Sequence, residues 1–233
     1  MGKVIMSGIV PLLKVPVSYK ANFADNDWAT IIDACQKNAV PDTWLVGDQK
    51  AMTINGTDYL IDIIGKNHDD YADGSGKAPL TFQLHDCYGT TYEMNNNYSN
   101  AEGWTNCTMR MTTLPAIMSL MPSEVQSALK EVNKLTSAGN QSSVINITAD
   151  KLFLLSEIEV FGSISVTFGG EGVQYDYYKA GNSKIKKING TAKECWERSP
   201  VGNSVEYAIV TNSGTSSFRH PLNSFGVSFA FCF

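Results

Sequence analysis

The final eight residues constrain the fold more than any other segment of this chain. From Gly226 to Phe233 the chain reads G-V-S-F-A-F-C-F, so Val227, Phe229, Phe231 and Phe233 alternate with Ser228, Ala230 and Cys232. A two-residue period is the period of a β-strand, whose successive side chains point to opposite faces. One face is bulky and belongs in a core; the other is small enough to let a neighbouring element approach closely. Upstream of this strand lies a hard frame of Trp196, Arg198, Ser199, Pro200, Val210 and Gly214, continued by Gly226 and Val227. Between its members stand Val201, Asn203, Val205, Tyr207, Ile209, Asn212, Ser213, Thr215, Ser216, Ser217, Phe218, Arg219, His220, Leu222, Asn223 and Phe225. These follow no core logic, and the division reads as a rigid scaffold presenting a contact surface. Tyr207, Phe218 and Phe225 would supply rigid apolar area, and Asn203, Asn212, Ser216, Ser217, Arg219, His220 and Asn223 adaptable hydrogen bonds.

At 233 residues, the chain is long enough for one well-filled domain, with or without a small appendage. Charged residues make up 18%, below the roughly 25% of an ordinary globular chain, which gives a neutral polar surface on an ordered, β-rich or mixed domain. The net charge is −5, and the one basic group, Lys184, Lys186 and Lys187, is read as a solvated loop. Nucleic acid is therefore not an expected partner. No apolar run approaches the ~20 residues of a membrane span, so membrane insertion is not expected. Met1 to Val17 carries Lys3 and Lys14, is broken by Pro11 and Pro16, and shows no cleavage pattern, so it is not read as a secretory signal. Synthesis in the cytoplasm is expected. Cysteines 35, 87, 107, 195 and 232 are scattered and odd in number, and read as reduced, mostly buried thiols.

Along the chain, residues 1–24 read as an extended arm and 25–233 as the domain. Asp25, Asn26 or Asp27 caps a helix that buries Trp28, Ile31, Ile32 and Cys35, ending before Pro41. Lys50 to Ile54 and Asp58 to Ile64 flank Asn55-Gly56, a hairpin signal. A strand is expected at Leu80 to Leu84 and a loop at Asn95 to Gly103. A helix follows from Asn106 to Leu120, kinked or split by Pro115. A second helix starts near Ser123, with Val125, Ala128, Leu129, Val132 and Leu135 on one face and Gly139 closing it. Lys151 to Leu155 reads as a strand, Glu157 to Gly162 as a turn or short helix, and 162–193 as a long loop. The remainder is β, with a hairpin across Asn212-Ser213-Gly214.

The groupings that could carry chemistry read better as structure. His68-Asp69-Asp70 and His85-Asp86 lack a third ligand, so hydrogen bonding is expected of them and no metal. The Asp69 to Gly76 run fails as a calcium loop, with Tyr71 at a ligand position and Leu80 where the bidentate glutamate belongs. No helix opens after Gly169-Gly170-Glu171-Gly172 to receive a phosphate. A thiol nucleophile at Cys195 or Cys232 would need His220 as its base, and buried core cysteine is the expected role. Trp196 is expected to anchor the core and Arg198 to pair with a carboxylate. No catalytic residue and no cofactor are assigned.

Several segments are recognisable together: I-I-G-K-N-H-D-D (63–70), G-K-A-P-L-T-F (76–82), D-K-L-F-L-L-S-E-I-E-V-F-G (150–162), G-E-G-V-Q-Y (170–175), W-E-R-S-P (196–200) and the closing G-V-x-F-x-F-C-F. Over residues 25–233 the sequence resembles a domain family common in phages, prophages and gut bacteria, itself similar to C-type-lectin-fold proteins. Some of those are variable binders diversified by retroelements, including phage tail receptor-binding proteins. The resemblance implies an α+β, C-type lectin-like fold with two or three helices on a small, mostly antiparallel twisted sheet. It also implies a display region at 195–233 with Trp196, Arg198, Pro200, Gly214, Gly226 and Val227 as its frame and the residues between as contacts. The implied activity is non-enzymatic binding of a protein or cell-surface ligand, by an oligomer (a trimer) in a phage virion or tail. The Glu-Pro-Asn and Trp-Asn-Asp calcium motifs of animal lectins are absent, so calcium-dependent sugar binding is not implied. Two alternatives stand beside the binder. One is a virion component that packs through the same surface and the apolar arm. The other is a formylglycine-generating type of cysteine oxidoreductase, which would need Cys195 and Cys232 close and accessible.

Overall fold

The computed structural model of the chain describes residues 18–233, and residues 1–17 of the expected arm lie outside the described residues. The remainder of that arm belongs to the packed unit. Asn22 caps a 3-10 turn at Phe23–Asp25, and Phe23 is buried against Trp28, Trp44 and Phe82. Burying one such ring contributes on the order of 2–3 kcal/mol, enough to hold this short segment down. Helix α1 (Trp28–Gln36) follows, its first turn capped by the Asp27 carboxylate on the Thr30 N–H at 2.7 Å. Trp28, Ile31, Ile32 and Cys35 are buried, as their spacing predicts.

Strands β1 (Gln49–Ile54) and β2 (Thr57–Lys66) form the expected hairpin, with Asn55 and Gly56 at φ 49° and 75°. Both central residues have positive φ, the condition for the tight turn that matches strand twist. Strand β3 (Leu80–Leu84) lies beside β2, and the short β4 (Tyr92–Glu93) comes next. The single helix expected from Asn106 to Leu120 is instead three pieces: α2 (Gly103–Asn106), a π-helical turn (Met109–Thr113) and α3 (Leu114–Met118). Cys107, extended at ψ 155°, makes the first break. Pro115 stands two residues after the π-helical turn, where the Leu114 N–H already reaches back five residues to the Met109 carbonyl, so the expected irregularity at the proline takes the form of that π turn.

The second expected helix is the main misreading. Helix α4 (Ser123–Ala128) stops at Leu129, and Val132 and Leu135 lie on β5 (Val132–Gly139), which pairs with β6 (Ser142–Asp150). The inward face of β5 carries Val132, Lys134 and Thr136, all buried. Two polar residues on the inner face erased the period-two signal and left an apparent helical one.

Strand β7 (Leu152–Phe153) leads to α5 (Glu157–Phe161), which opens with a reciprocal Ser156–Glu159 capping box. The expected loop over 162–193 contains α6 (Asp176–Lys179) and a hairpin of β8 (Lys186–Ile188) and β9 (Thr191–Lys193) turning at Asn189-Gly190. The end of the chain supplies β10 (Cys195–Pro200), β11 (Tyr207–Val210), β12 (Ser216–Arg219), β13 (Ser224–Phe225) and β14 (Ala230–Cys232).

The architecture is α+β, with several small antiparallel sheets and, among the described residues, six α-helices rather than two or three. The largest sheet runs β1-β2-β3-β14-β7, so the last strand is inserted between two earlier ones. Val227, Phe229, Phe231 and Phe233 are fully buried, and Phe231 and Phe233 pack on Phe82 at centroid distances of 5.4 Å. Their small-faced partners Ala230 and Cys232 are buried as well, because β14 has neighbours on both sides. A second sheet, β10-β11-β12, carries the region expected to present a surface. Among the described residues no helix is long and apolar enough to cross a membrane.

Candidate functional site

The frame of the second sheet is held from inside by charge. Arg198 on β10 is fully buried and pairs with Glu159 of α5 through both terminal guanidinium nitrogens. The guanidinium also lies within hydrogen-bond reach of Thr136 Oγ1 at 2.8 Å and of the carbonyls of Leu154, Leu135 and Glu171 at 2.9–3.0 Å. Glu159 also meets Lys134 Nζ at 2.8 Å, and Lys134 in turn meets Asp69 at 2.7 Å. Tyr175 and Thr81 donate to Asp69 from either side. Burial alone would raise both carboxyls, but Arg198 and Lys134 more than offset it for Glu159, and Lys134 brings Asp69 down to about 2. The alternating series Asp69–Lys134–Glu159–Arg198 therefore ties β5, α5 and β10 to the loop after β2. Trp196 donates its indole N–H to the Tyr92 carbonyl at 2.8 Å and is buried. Both frame residues act as the sequence predicts.

The opposite face of β10 carries Cys195, Glu197 and Ser199, and beneath it sit three buried glutamates. Glu157 accepts the backbone N–H groups of Ser165, Val166 and Thr167 and the hydroxyls of Thr167 and Ser216. Glu171 accepts the Ser137 N–H and the Ser199 hydroxyl, and burial pushes it up to about 7. Glu197 has no hydrogen-bond partner at either carboxyl oxygen. Burial, then the nearby Glu157, Cys195 and Glu171, holds it well above the usual carboxylate range. None of these buried carboxyl groups was legible as such in the sequence. Lys186, read there as part of a solvated loop, is likewise buried, with Nζ on the Leu84 and His85 carbonyls at 3.0 and 2.8 Å.

The expected contact residues divide. Asn203, Val205, Asn212, Ser213, Thr215, Phe218 and Asn223 are exposed, Phe218 to 41%. Three are corrected to interior positions: Val201, Tyr207 and Ile209 are buried. Strand β11 is the middle strand of its sheet and is covered on both faces, so Tyr207 reaches inward to donate to the Gly103 carbonyl at 3.0 Å. Val201 is fixed by a bridge to Thr167 and by its N–H on the Glu206 carbonyl. Ser216, Ser217, Arg219, His220, Leu222 and Phe225 are half-buried. Of these, Ser216 is turned onto Glu157, Arg219 is paired with Glu194, and Phe225 packs edge-on against Trp196 at 5.0 Å. Their presented area is therefore small. Pro200, Gly226 and Val227 are buried, as frame residues should be, and Gly214 makes the β11–β12 turn at φ 80°.

A second segment completes the face and was not selected from the sequence. Met94 and Asn95 N–H groups hold the Pro221 carbonyl, and Tyr98, 65% exposed, lies edge-on to His220 at 4.4 Å. Asn100, almost fully buried, donates to the Ser204 and Glu206 carbonyls at 3.0 and 2.9 Å and accepts the Asn140 N–H at 3.1 Å. It clamps the loop between β10 and β11 so that Asn203 and Val205 stand outward on a fixed backbone. The run N-N-N-Y-S-N at 95–100 was the available signal, an aromatic residue in a polar loop. Replacing Asn100 with alanine is expected to cost about 1–3 kcal/mol, because it strips partners from buried backbone groups. Limited proteolysis should then cut first within 201–206.

A family described as a domain of unknown function, DUF6273, matches residues 76–233, more than half of the chain. The chain belongs to this family. No curated protein and no solved structure matches it. The DUF6273 match begins just before β3 and takes in β14, the second sheet and the whole presented face. Residues 18–75 nonetheless complete the same core, since β2 pairs with β3 and Phe23 stacks on Phe82.

Within this DUF6273 chain the candidate chemical groups are engaged elsewhere. His68 stacks on Tyr175 at 3.9 Å, Asp69 lies in the buried ion network, and His85 bonds Asp62 at 2.9 Å. Among the described residues no group of three or more His, Cys, Asp or Glu side chains is arranged to hold a metal. All five cysteines are free and buried. Cys232 lies by Asp69 and Thr81, whereas Cys195 lies by Cys87, so the two thiols that an oxidoreductase of the formylglycine type would need together have different partners.

Proposed function

We propose that this chain is a non-enzymatic ligand-binding domain, whose contact face is built from 203–205, the β11–β12 turn, Phe218, Asn223 and Tyr98. The observation that carries the reading is the clamp on the 201–206 loop. A buried asparagine from a distant segment fixes a loop whose side chains at 203 and 205 face solvent. Pre-organising a loop in this way lowers the ordering cost of binding. Two exposed aromatic residues, Tyr98 and Phe218, stand among short polar side chains, the mixture that serves antibody-like surfaces.

The finer fold reading is C-type lectin-like. It is supported by the insertion of the C-terminal strand between β3 and β7 and by the small second sheet that carries the loops. The resemblance of the W-E-R-S-P and G-V-x-F-x-F segments supports a phage or prophage origin, a cell-surface or protein ligand, and a face open to diversification. Labelled protein applied to a panel of bacterial cell envelopes tests the reading. Saturable binding to at least one envelope is expected, weakened about 30-fold by Phe218→Ala or Tyr98→Ala, as for an aromatic hot spot, with an unchanged melting temperature. Binding indifferent to both substitutions, or none to any envelope, would count against it.

A further inference from the structure

Cys87 and Cys195 come from separate parts of the chain, the turn after β3 and the first position of β10, and they meet beside Gly226. Cys195 pairs with Gly226 in an isolated parallel bridge, and the Trp196 N–H donates to the Gly226 carbonyl at 3.0 Å. The Cys87 sulfur lies so close on the other side that a Cβ at position 226 would stand 2.3 Å from it. Only glycine fits there, and its absent side chain leaves the Cys87 sulfur and the Cys195 backbone both against position 226.

The two sulfurs are not equivalent. Cys195 also receives the Ser228 backbone N–H and faces the Lys186 ammonium. That ammonium is fixed between the Leu84 and His85 carbonyls, with burial lowering its proton affinity and the carboxylates of Asp62 and Asp86 nearby. The Cys87 hydrogen bond, then Lys186 and the Ser228 N–H, lower the Cys195 thiol below its ordinary value, while Cys87 is raised. Cys35 and Cys107 are pushed up to about 12 by burial, and Cys232 well above the usual range. A buried thiol that a neighbouring ammonium eases toward losing its proton, with a second thiol beside it, is the arrangement of a nucleophilic cysteine and its resolving partner.

We propose that Cys87 and Cys195 form a peroxide-oxidisable dithiol whose disulfide staples the second sheet to the main one. Hydrogen peroxide, as small as the solvent, is the oxidant able to reach thiols with so little exposed surface. The Cys195 thiolate attacks one peroxide oxygen, the O–O bond breaks, and the departing hydroxide takes a proton to become water. This leaves Cys195 as a sulfenic acid. The Cys87 sulfur then attacks the Cys195 sulfur, the S–O bond breaks, and the hydroxide leaves as water with the Cys87 proton. Two thiols lose two electrons in all, and the peroxide oxygens gain them. The consequence is mechanical: β10, which carries the frame, becomes covalently tied to the end of β3.

The test uses the full chain. Protein treated with equimolar peroxide is unfolded, alkylated with iodoacetamide and peptide-mapped by mass spectrometry. The peptide containing Cys87 should be linked to the peptide containing Cys195, with Cys35, Cys107 and Cys232 alkylated, and dithiothreitol should restore alkylation of all. In Cys87→Ser the reaction should stop at the sulfenic acid, trapped by dimedone on Cys195. The wild-type map does not depend on that variant folding. Full alkylation after oxidation, a link between any other cysteines, or dimedone on Cys35, Cys107 or Cys232 in place of Cys195 would overturn the proposal.

Discussion

Replacing Arg198 with methionine is expected to lower the unfolding free energy by about 3–5 kcal/mol, the scale for stripping one partner from a buried ion pair. Arg198 is fully buried, and its loss would leave Glu159 with only Lys134 as a charged partner. The carbonyls of Leu135, Leu154 and Glu171 would each lose a donor in the interior. A domain of this kind has only ~5–15 kcal/mol in total, so the variant should sit close to unfolding at room temperature. Urea denaturation followed by circular dichroism measures the loss. The double variant Arg198→Met with Glu159→Met should recover part of it, because removing both charges leaves no ion stranded. A single variant as stable as the parent would show that the network does not hold β10 against α5 and β5.

Glu197→Met is expected to act in the other direction, raising stability by about 1–3 kcal/mol, the desolvation penalty of a buried polar group without a partner. Methionine keeps the volume and removes two oxygens that bond nothing. The gain should grow as pH rises. Glu197 and Glu171 both have folded proton affinities above their unfolded values, so folding takes up protons. Stability from such groups is fully present below the unfolded pKa and is lost as pH climbs through the folded one. For Glu171 that window runs from 4.5 to about 7. The groups that face this pocket are Glu157 and the Arg198 guanidinium on the neighbouring face, together with Cys195. Asp69 and Glu159 work oppositely: they are held below their unfolded values, and their contribution disappears as pH falls, for Asp69 between 3.8 and about 2. The wild type should therefore be most stable in mildly acidic buffer, near pH 4–5, and Glu197→Met should flatten the alkaline side of the curve. Melting temperatures across pH 3–9 would show it. A wild-type curve that climbs steadily to pH 8, or a variant that tracks the parent in parallel, would show that burial does not hold Glu197 above the usual carboxylate range.

The reading of residues from sequence succeeded where a local rule decides the structure. The Asp27 cap and its four apolar partners, the Asn55-Gly56 turn and the strand at Leu80 each encode their own conformation within a few neighbours, and the alternation of Val227 to Phe233 encodes burial, although only Ala230–Cys232 of it pairs as strand. It failed where the deciding partner lies far along the chain. Val132 and Leu135 looked helical because Lys134, between them, is an inward residue only in the presence of Asp69, 65 positions away, and Glu159. The same cause hid Lys186, whose acceptors are carbonyls about a hundred residues earlier. On β11, Tyr207 and Ile209 share one face, and only the packing of distant segments against it, with the Gly103 carbonyl accepting from Tyr207, places both of them inside.

What the sequence determined by itself was the existence of a stiff β end: bulky residues at every second position can be satisfied only inside a sheet, and glycine, proline and tryptophan mark its corners. Its tertiary structure alone decided which charges go inside and which side chains remain outside. A buried ion is tolerable only beside its counter-ion and hydrogen-bond donors, and those arrive from segments that no local pattern connects. The loop at 95–100 lies against the proposed contact face for the same reason, since the hydrogen bonds of Asn100 that fix it exist only after the chain has closed on itself.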